Sequence, residues 1–247
     1  MTSKNGHKTY LTFVLDESGS MGSCQDQTIS GFNEFADSQE DKTLGECRAT
    51  LVKFNSDKIE TVFSDELIED VPKLTYENYR PSSTTPLYDA IAQAIKATED
   101  KVSISGKVLS KLAGHPVKAG PLVIIVIMTD GLENASRQHT QKDIFDMIQD
   151  KKDAGWTFVF LGADQDSWLA ATPMGIPAGS TTNFAKARTS VAFAGVAQSM
   201  SAYRNSYNLT ADALDAAEIA GDTAKYTAAA GELKKLRENY WQGKTEL

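Results

Sequence analysis

Apolar residues follow two different spacings along the chain, and their alternation predicts strands separated by helices. Three apolar runs, Thr9–Leu15, Leu122–Met128 and Trp156–Gly162, are typical of buried strands. The second run is apolar on both sides, which indicates a central parallel strand covered on both faces. The segment Glu46–Asn55 alternates between apolar and polar residues instead, and this pattern predicts a strand with one polar face.

A tight turn predicts an antiparallel edge for the sheet. The turn residues "NSD" separate Glu46–Asn55 from a short strand, Lys58–Phe63, so we expect the two to pair antiparallel with the second at the edge. Residues 66–83 are typical of a loop and contain two prolines. A weaker strand is predicted at Ser180–Phe184.

Helical spacing of apolar residues predicts the elements between these strands. Predicted helices cover residues 23–41 and 140–154, a short one is expected near 164–171, and a longer one extends towards Leu112. Thr85 takes the expected N-cap of this longer helix and Pro86 its first helical position, where proline is favoured.

The C-terminal part contains no strand signal after Ala185. Apolar residues there follow one helical stripe: Phe193, Val196, Ala197, Met200, Tyr203 and Tyr207. Residues 209–240 are alanine-rich and predict one or two helices, with breaks at Gly221 and Gly231. We therefore expect an α/β domain over residues 1–184 and a helical extension over residues 185–247 that packs on it or projects from it.

The order of elements predicts an open α/β fold with a mainly parallel central sheet, one antiparallel edge strand and helices on both faces.

The chain has 247 residues and a net charge of −8, which disfavours nucleic acid or an anionic membrane as partner. The longest apolar run, Pro121–Met128, is too short to span a bilayer, and the N-terminus lacks the apolar segment of a signal peptide. Two cysteines, Cys24 and Cys47, are too few for a disulfide scaffold. We expect a cytoplasmic protein with reduced thiols.

Polar side chains follow the ends of two predicted parallel strands. The stretch "DESGS" places Asp16, Ser18 and Ser20 after the first strand, "MTDG" places Asp130 after the central one, and Thr85 precedes the long helix. Ligands of open parallel sheets bind outside the carboxyl ends of the strands, so these side chains are expected to converge. Because all are oxygen donors, they suit Mg²⁺, Mn²⁺ or Ca²⁺ rather than zinc or copper.

Such a site has few protein ligands and leaves a coordination position for an acidic group from a partner. Glu133 and Asn134 follow Asp130 closely and are candidates to support the ligands, although the sequence favours an exposed loop for both.

Three motifs resemble those of the von Willebrand factor A domain family. "DESGS" matches its D-x-S-x-S signature, "TTPLYDAI" is similar to its threonine-bearing loop, and "IVIMTDGLEN" is similar to its aspartate-bearing strand end. The resemblance covers residues 10–184, is strongest to compact intracellular members from bacteria and phages, and implies a Rossmann-like sheet. It also implies an intact metal-ion-dependent adhesion site. The residues that the resemblance assigns to the metal are Asp16, Ser18, Ser20, Thr85 and Asp130, with Thr84 as the alternative to Thr85.

The function implied by the resemblance is non-enzymatic binding of a protein partner, in which Mg²⁺ (or Mn²⁺ or Ca²⁺) accepts a carboxylate from that partner. One alternative is an assembly role in a phage particle or a bacterial complex, with the C-terminal helices forming a homo-oligomer and the protein located in the virion. A Mg²⁺-dependent phosphatase is less favoured, because a phosphoaspartyl enzyme requires a second carboxylate where this chain has Ser18. The chain also lacks a glycine-rich nucleotide phosphate loop of the G-x-x-x-x-G-K-[ST] type.

Overall fold

The computed structural model describes residues 7–113, 120–163 and 167–238, without the side chains of residues 104–113 and 167–168. Six strands form one sheet in the order β3-β2-β1-β4-β5-β6. Their bounds are β1 Thr9–Asp16, β2 Cys47–Phe54, β3 Ile59–Leu67, β4 Leu122–Thr129, β5 Thr157–Ala163 and β6 Thr181–Phe184. All neighbours pair parallel except β2 and β3, so the predicted mainly parallel sheet with an antiparallel edge strand is confirmed.

Helices cover both faces of the sheet. Their bounds are α1 Gln25–Ser38, α2 Leu87–Ala113, α3 Gln141–Asp153, α4 Ser167–Ala171, α5 Thr189–Ile219 and α6 Thr223–Glu238. Buried residues of α1, α5 and α6 form one core with the sheet, whereas those of α2, α3 and α4 form the other. Among the described residues, no helix has the length and apolar character needed to cross a membrane.

The unbroken apolar sequence of the central strand follows from these two cores. Side chains of a strand point alternately to opposite faces. In β4, Ile124 and Val126 lie in the core under α1 and α5, whereas Ile125 and Ile127 lie in the core under α2 and α3. Every residue of the strand is therefore buried, as the sequence predicts.

The prediction of a polar face for β2 is wrong. Thr50 and Lys53, expected on that face, are each only 5% exposed. Both faces of β2 are covered, because the strand lies between β1 and β3 and both cores reach it. Lys53 is tolerated in this setting because its Nζ atom pairs with the carboxylate of Glu17, 3.1 Å from Oε1.

The edge strand β3 is longer than predicted. It continues beyond Phe63 to Leu67, into residues that the sequence assigns to a loop. The register with β2 shifts on both sides of Leu51, and Asp65 adopts a left-handed φ of 61°. Such an irregularity interrupts the alternation of side chains, so the pattern ends before the strand does.

The C-terminal helices pack on the sheet rather than projecting from it. Phe193 of α5 contacts the ring of Phe32 in α1, and a Cβ atom on Gly31 would lie 2.5 Å from the Phe193 ring. Leu233 of α6 is buried in the same core. The helices thus cover this face of the sheet, while the division of the chain at residue 184 stays a prediction.

One of the two predicted helix breaks in this region is present. The chain turns at Gly221, whose φ of +66° is the left-handed value that glycine adopts without strain. Gly231, however, lies within the continuous helix α6, so that predicted break is wrong. A glycine inside a helix costs only about 1 kcal/mol relative to alanine, which the packing of Leu233 offsets.

Candidate metal centre

The pairing of β1 with β4 brings the two predicted carboxylates to one edge of the sheet. Leu15 lies opposite Met128, so Asp16 and Thr129 are the next neighbours at the carboxyl ends of these strands. The Thr129 hydroxyl donates to Asp16 Oδ2 at 2.6 Å. Asp130 follows directly, and both carboxylates are buried.

The loop after β1 turns back so that Ser20 reaches Asp130. The backbone N–H of Ser18 donates to Asp16 Oδ1 at 2.7 Å, and this bond closes the start of the loop. The hydroxyls of Ser18 and Ser20 lie 3.2 Å apart, and Ser20 donates to Asp130 Oδ1 at 2.6 Å. A chain of hydrogen bonds therefore joins all four residues that the two strands contribute.

Thr85 borders the same space from the other side. Its Oγ1 atom would lie 3.2 Å from a Cβ atom on Gly131, and the Ser20 hydroxyl would lie 3.9 Å from the same point. A side chain at position 131 would therefore enter the space between the two hydroxyls. Thr85 is buried whereas Thr84 is exposed, so Thr85 is the threonine that borders this space beside Ser20.

The predicted N-cap role of Thr85 is wrong. Helix α2 begins at Leu87, and the Pro86 carbonyl accepts the first helical hydrogen bond, so the helix starts later than its sequence signals indicate. The free backbone N–H of Tyr88 donates instead to Glu133 Oε2 at 3.0 Å. The hydroxyl of Thr85 lies before the helix and is not used to cap it.

Glu133 and Asn134 do more than the exposed loop predicted for them. Asn134 bonds the backbone of Thr85 in both directions: its Oδ1 accepts from the Thr85 N–H at 2.9 Å, and its own N–H donates to the Thr85 carbonyl at 3.1 Å. Asn134 is exposed, as expected, but it fixes the segment that carries Thr85. The loop after β4 thus positions the start of α2 against the two strand ends.

A second set of contacts, which the sequence did not predict, joins the loop after β1 to the segment before Thr85. Glu17 Oε1 accepts from Lys53 Nζ at 3.1 Å and from the backbone N–H of Arg80 at 2.5 Å. The buried Tyr79 hydroxyl donates to the Asp16 carbonyl at 2.7 Å. No sequence signal pointed to this pairing, because the alternation over Glu46–Asn55 placed Lys53 on a solvated face.

Sequence reasoning also missed Lys186, which lies two residues beyond β6. Its Nζ atom is 2.7 Å from Asp130 Oδ2. The Asp130 side chain is 0% exposed and that of Lys186 is 25% exposed. Oδ2 is buried and accepts no hydrogen bond within the described part of the chain, so the contact is an ion pair without good hydrogen-bond geometry. No motif marks this lysine, because the position of β6 relative to β4 depends on the whole sheet.

Burial dominates the electrostatics of Asp16. The pKa of its carboxyl is raised from 3.8 to about 6: loss of hydration is the largest cause, hydrogen bonds from Thr129 and Ser18 act in the opposite direction, and the nearby charge of Asp130 adds a smaller increase. A carboxylate that is costly to ionise in the metal-free protein is stabilised when a cation is beside it.

The residues present fit a hard divalent cation. Two carboxylates and three hydroxyls converge, and one buried carboxylate oxygen, Asp130 Oδ2, lacks a hydrogen bond. Within the described residues, there is no cluster of three or more His, Cys, Asp or Glu side chains that could hold a metal ion by themselves. A cation here would therefore depend on the hydroxyls and on water to complete its shell.

Comparison with known proteins supports the fold. No protein-family model matches the chain, and no curated protein matches it. Among solved structures, the proximal thread matrix protein 1 of the mussel byssus aligns with a TM-score of 0.54 at 15% identity, covering 77% of this chain and 47% of that one. The vWF domain of the type V pili tip protein Mfa5 from Porphyromonas gingivalis aligns with a TM-score of 0.54 at 11% identity, covering 79% and 95%.

A von Willebrand factor type A structure from Catenulispora acidiphila has a TM-score of 0.51 at 13% identity and covers 81% of this chain and 43% of that one. The chain thus spans about half the length of the mussel protein and less than half of the Catenulispora chain. Its fold is an α/β fold of the von Willebrand factor A type.

Proposed function

We propose that this chain is a non-enzymatic protein-binding module that holds Mg²⁺ and uses it to bind a carboxylate of a partner protein. The residues that would hold the ion are Asp16, Ser18, Ser20, Thr85 and Asp130. The observation that carries the proposal is the oxygen-only set, buried except for Ser20, that the β1 and β4 ends bring together around Asp130. Mg²⁺, when bound, supplies an open coordination position for an acidic ligand.

The chain's own residues have three tasks in this function. Asp16 and Asp130 supply negative charge in a buried setting, where an ion pair is stronger than in water. Ser18 and Ser20 add neutral oxygens, so the two carboxylates balance the charge of a divalent ion and the ligand set adds no further negative charge to repel an acidic group of the partner. Asn134 fixes Thr85 beside them.

An apolar residue adjoins the site and suits contact with a partner. Leu132, two residues after Asp130, is 62% exposed. We propose that the partner presents its acidic side chain to the ion and packs an apolar group on Leu132. We also propose that this chain acts in the cytoplasm or as part of a phage particle. The two cysteines, both free and buried, agree with a reducing compartment.

The alternatives receive less support. A phosphatase would need a carboxylate at position 18, where the Ser18 hydroxyl instead contacts Ser20. An assembly role would need an outward apolar face on the C-terminal helices. In the described part of α5, the large exposed residues Val191, Leu209 and Ile219 are widely separated in sequence, whereas its apolar stripe is buried against the sheet.

Capture of a partner by the immobilised full chain tests the proposal. A lysate of the source cells is passed over wild-type protein, Asp16→Ala and the control Asp100→Asn, which removes one carboxylate from the exposed surface of α2. We expect a protein retained by wild type and by the control in Mg²⁺, and released by EDTA and by Asp16→Ala. Retention that neither EDTA nor Asp16→Ala changes would contradict the proposed function.

A further inference from the structure

The ammonium group of Lys186 lies beside a buried carboxylate oxygen of the site that accepts no hydrogen bond within the described residues. Asp130 presents two oxygens: Oδ1 accepts from Ser20 at 2.6 Å, and Oδ2 has Lys186 Nζ at 2.7 Å. Oδ2 is the oxygen that accepts no hydrogen bond within the described residues. The lysine therefore neutralises the carboxylate oxygen that is otherwise available to a cation.

A divalent ion and this ammonium cannot both occupy that position. Mg²⁺ binds carboxylate oxygens at about 2.0–2.1 Å, so an ion on Asp130 would lie within a few ångströms of Nζ. Both charges are positive and the carboxylate is fully buried, so water screens their repulsion poorly. One cation must leave when the other binds.

We propose that Lys186 is a tethered cation that closes the site in the metal-free protein and is displaced when the divalent ion binds. This inference rests on the proposed function, because it requires the metal site to exist. It adds a regulatory property: the apparent metal affinity is lower than the ligand set alone would give, since each binding event must first break the Lys186–Asp130 pair.

The position of Lys186 connects this exchange to the C-terminal helix. Lys186 opens the single turn of 3-10 helix, Lys186–Arg188, that joins β6 to α5. Its carbonyl accepts from the hydroxyl of Thr189 at 2.7 Å, at the first residue of α5. Movement of Lys186 away from Asp130 therefore acts on the start of the helix that covers one face of the sheet.

Calorimetric titration of Mn²⁺ into the full-length protein tests the inference, with wild type, Lys186→Met and Arg188→Met compared. Arg188 lies in the same turn, is exposed and carries the same charge, so its variant controls for long-range electrostatics. We expect Lys186→Met to bind Mn²⁺ at least about tenfold more tightly than wild type, because a buried like charge is removed. Arg188→Met should stay within about twofold of wild type, because exposed charges are screened.

A second readout separates displacement from a purely structural role. In wild type, Mn²⁺ should accelerate amide hydrogen exchange in residues 185–192, whereas in Lys186→Met exchange there should be fast already without the ion. Without Mn²⁺, Lys186→Met should melt at a lower temperature than wild type, because Asp130 is left buried without its partner. If that variant does not fold, Lys186→Gln, which keeps a polar group at this position, replaces it.

The outcomes distinguish the two proposals. If wild type and Lys186→Met bind Mn²⁺ with equal affinity, or Arg188→Met gains as much as Lys186→Met, the lysine inference is overturned while the metal site stands. If neither wild type nor Lys186→Met binds the ion, the metal site fails and the inference fails with it. Binding that is detectable only in Lys186→Met supports both.

Discussion

Buried charged side chains have different partners at the two ends of the parallel strands, which are called here the amino edge and the carboxyl edge of the sheet. At the amino edge, the fully buried Arg204 of α5 donates to the carbonyls of Gln39 and Gly45 at 3.0 and 2.9 Å. At the carboxyl edge, Asp130 is equally buried, yet one of its oxygens faces only the tethered ammonium of Lys186. The first charge is bound by fixed backbone groups, with only its Nε unpaired among the described residues, and it anchors a helix. The second faces a side-chain cation, which we propose exchanges with a divalent ion.

The largest effect we predict is on the amino edge. Arg204→Met keeps an unbranched apolar stem but removes the guanidinium, which leaves two buried carbonyls without donors. We expect a loss of about 3 kcal/mol in the free energy of unfolding, measured by urea denaturation. Mn²⁺ affinity of the folded variant should be unchanged. A stability loss under about 0.5 kcal/mol, the size of an ordinary surface substitution, would show that this edge is not an anchor.

A smaller effect of opposite sign is predicted at the carboxyl edge. The folded pKa of Asp16 is about 6, above the 3.8 of the unfolded chain, so the folded state holds its proton more tightly. The contribution of this group to the stability of the metal-free protein is therefore lost as pH rises from about 4 to 6. At pH 8, Asp16→Asn should stabilise the metal-free protein by about 2 kcal/mol while abolishing its response to Mg²⁺.

Measuring the difference in stability between wild type and Asp16→Asn at each pH isolates this group from carboxyls with lowered pKa, such as Asp89. Over the same pH window, the rise in melting temperature caused by Mg²⁺ should grow, because the ion binds the deprotonated carboxylate. A pH-independent difference between the two proteins would contradict the assignment of a raised pKa to Asp16.

The smallest predicted effect concerns the support of Thr85. Asn134→Ala removes the side-chain acceptor for the Thr85 N–H but no proposed ligand. We expect a few-fold loss of Mn²⁺ affinity and less than about 1 kcal/mol of stability, because the residue is exposed. Gln138→Ala, in the same loop, serves as the matched control. Equal affinities for both variants would mean that Thr85 is held by other contacts.

The sequence predicted what depends on local pattern. Alternation and apolar runs identified the strands, and strand ends carrying Asp16 and Asp130 identified the edge where the candidate site lies. Lys53 shows the limit, because its position in the sequence suggested a solvated face and only the pairing with Glu17 explains its burial.

Two further errors share one physical cause, which is that they involve contacts between segments distant in the chain. At the start of helix α2, the backbone N–H of Tyr88 donates to Glu133, a residue distant in the chain. The local sequence signals therefore predicted a helix start before Leu87, where the helix begins. Lys186 approaches Asp130 only because β6 joins the sheet beyond β5. The local sequence around the start of α2 and around Lys186 contains no pattern that predicts these contacts with Glu133 and Asp130.

The metal centre is tested most directly by an electron paramagnetic resonance titration of Mn²⁺ with wild type and Asp130→Asn, in which bound Mn²⁺ is counted as loss of the free-ion signal. We predict one bound ion per wild-type chain, displaced by excess Mg²⁺, and no comparable binding in Asp130→Asn. Equal binding by the two proteins, or none by wild type and by Lys186→Met, would contradict a metal centre at the carboxyl ends of β1 and β4.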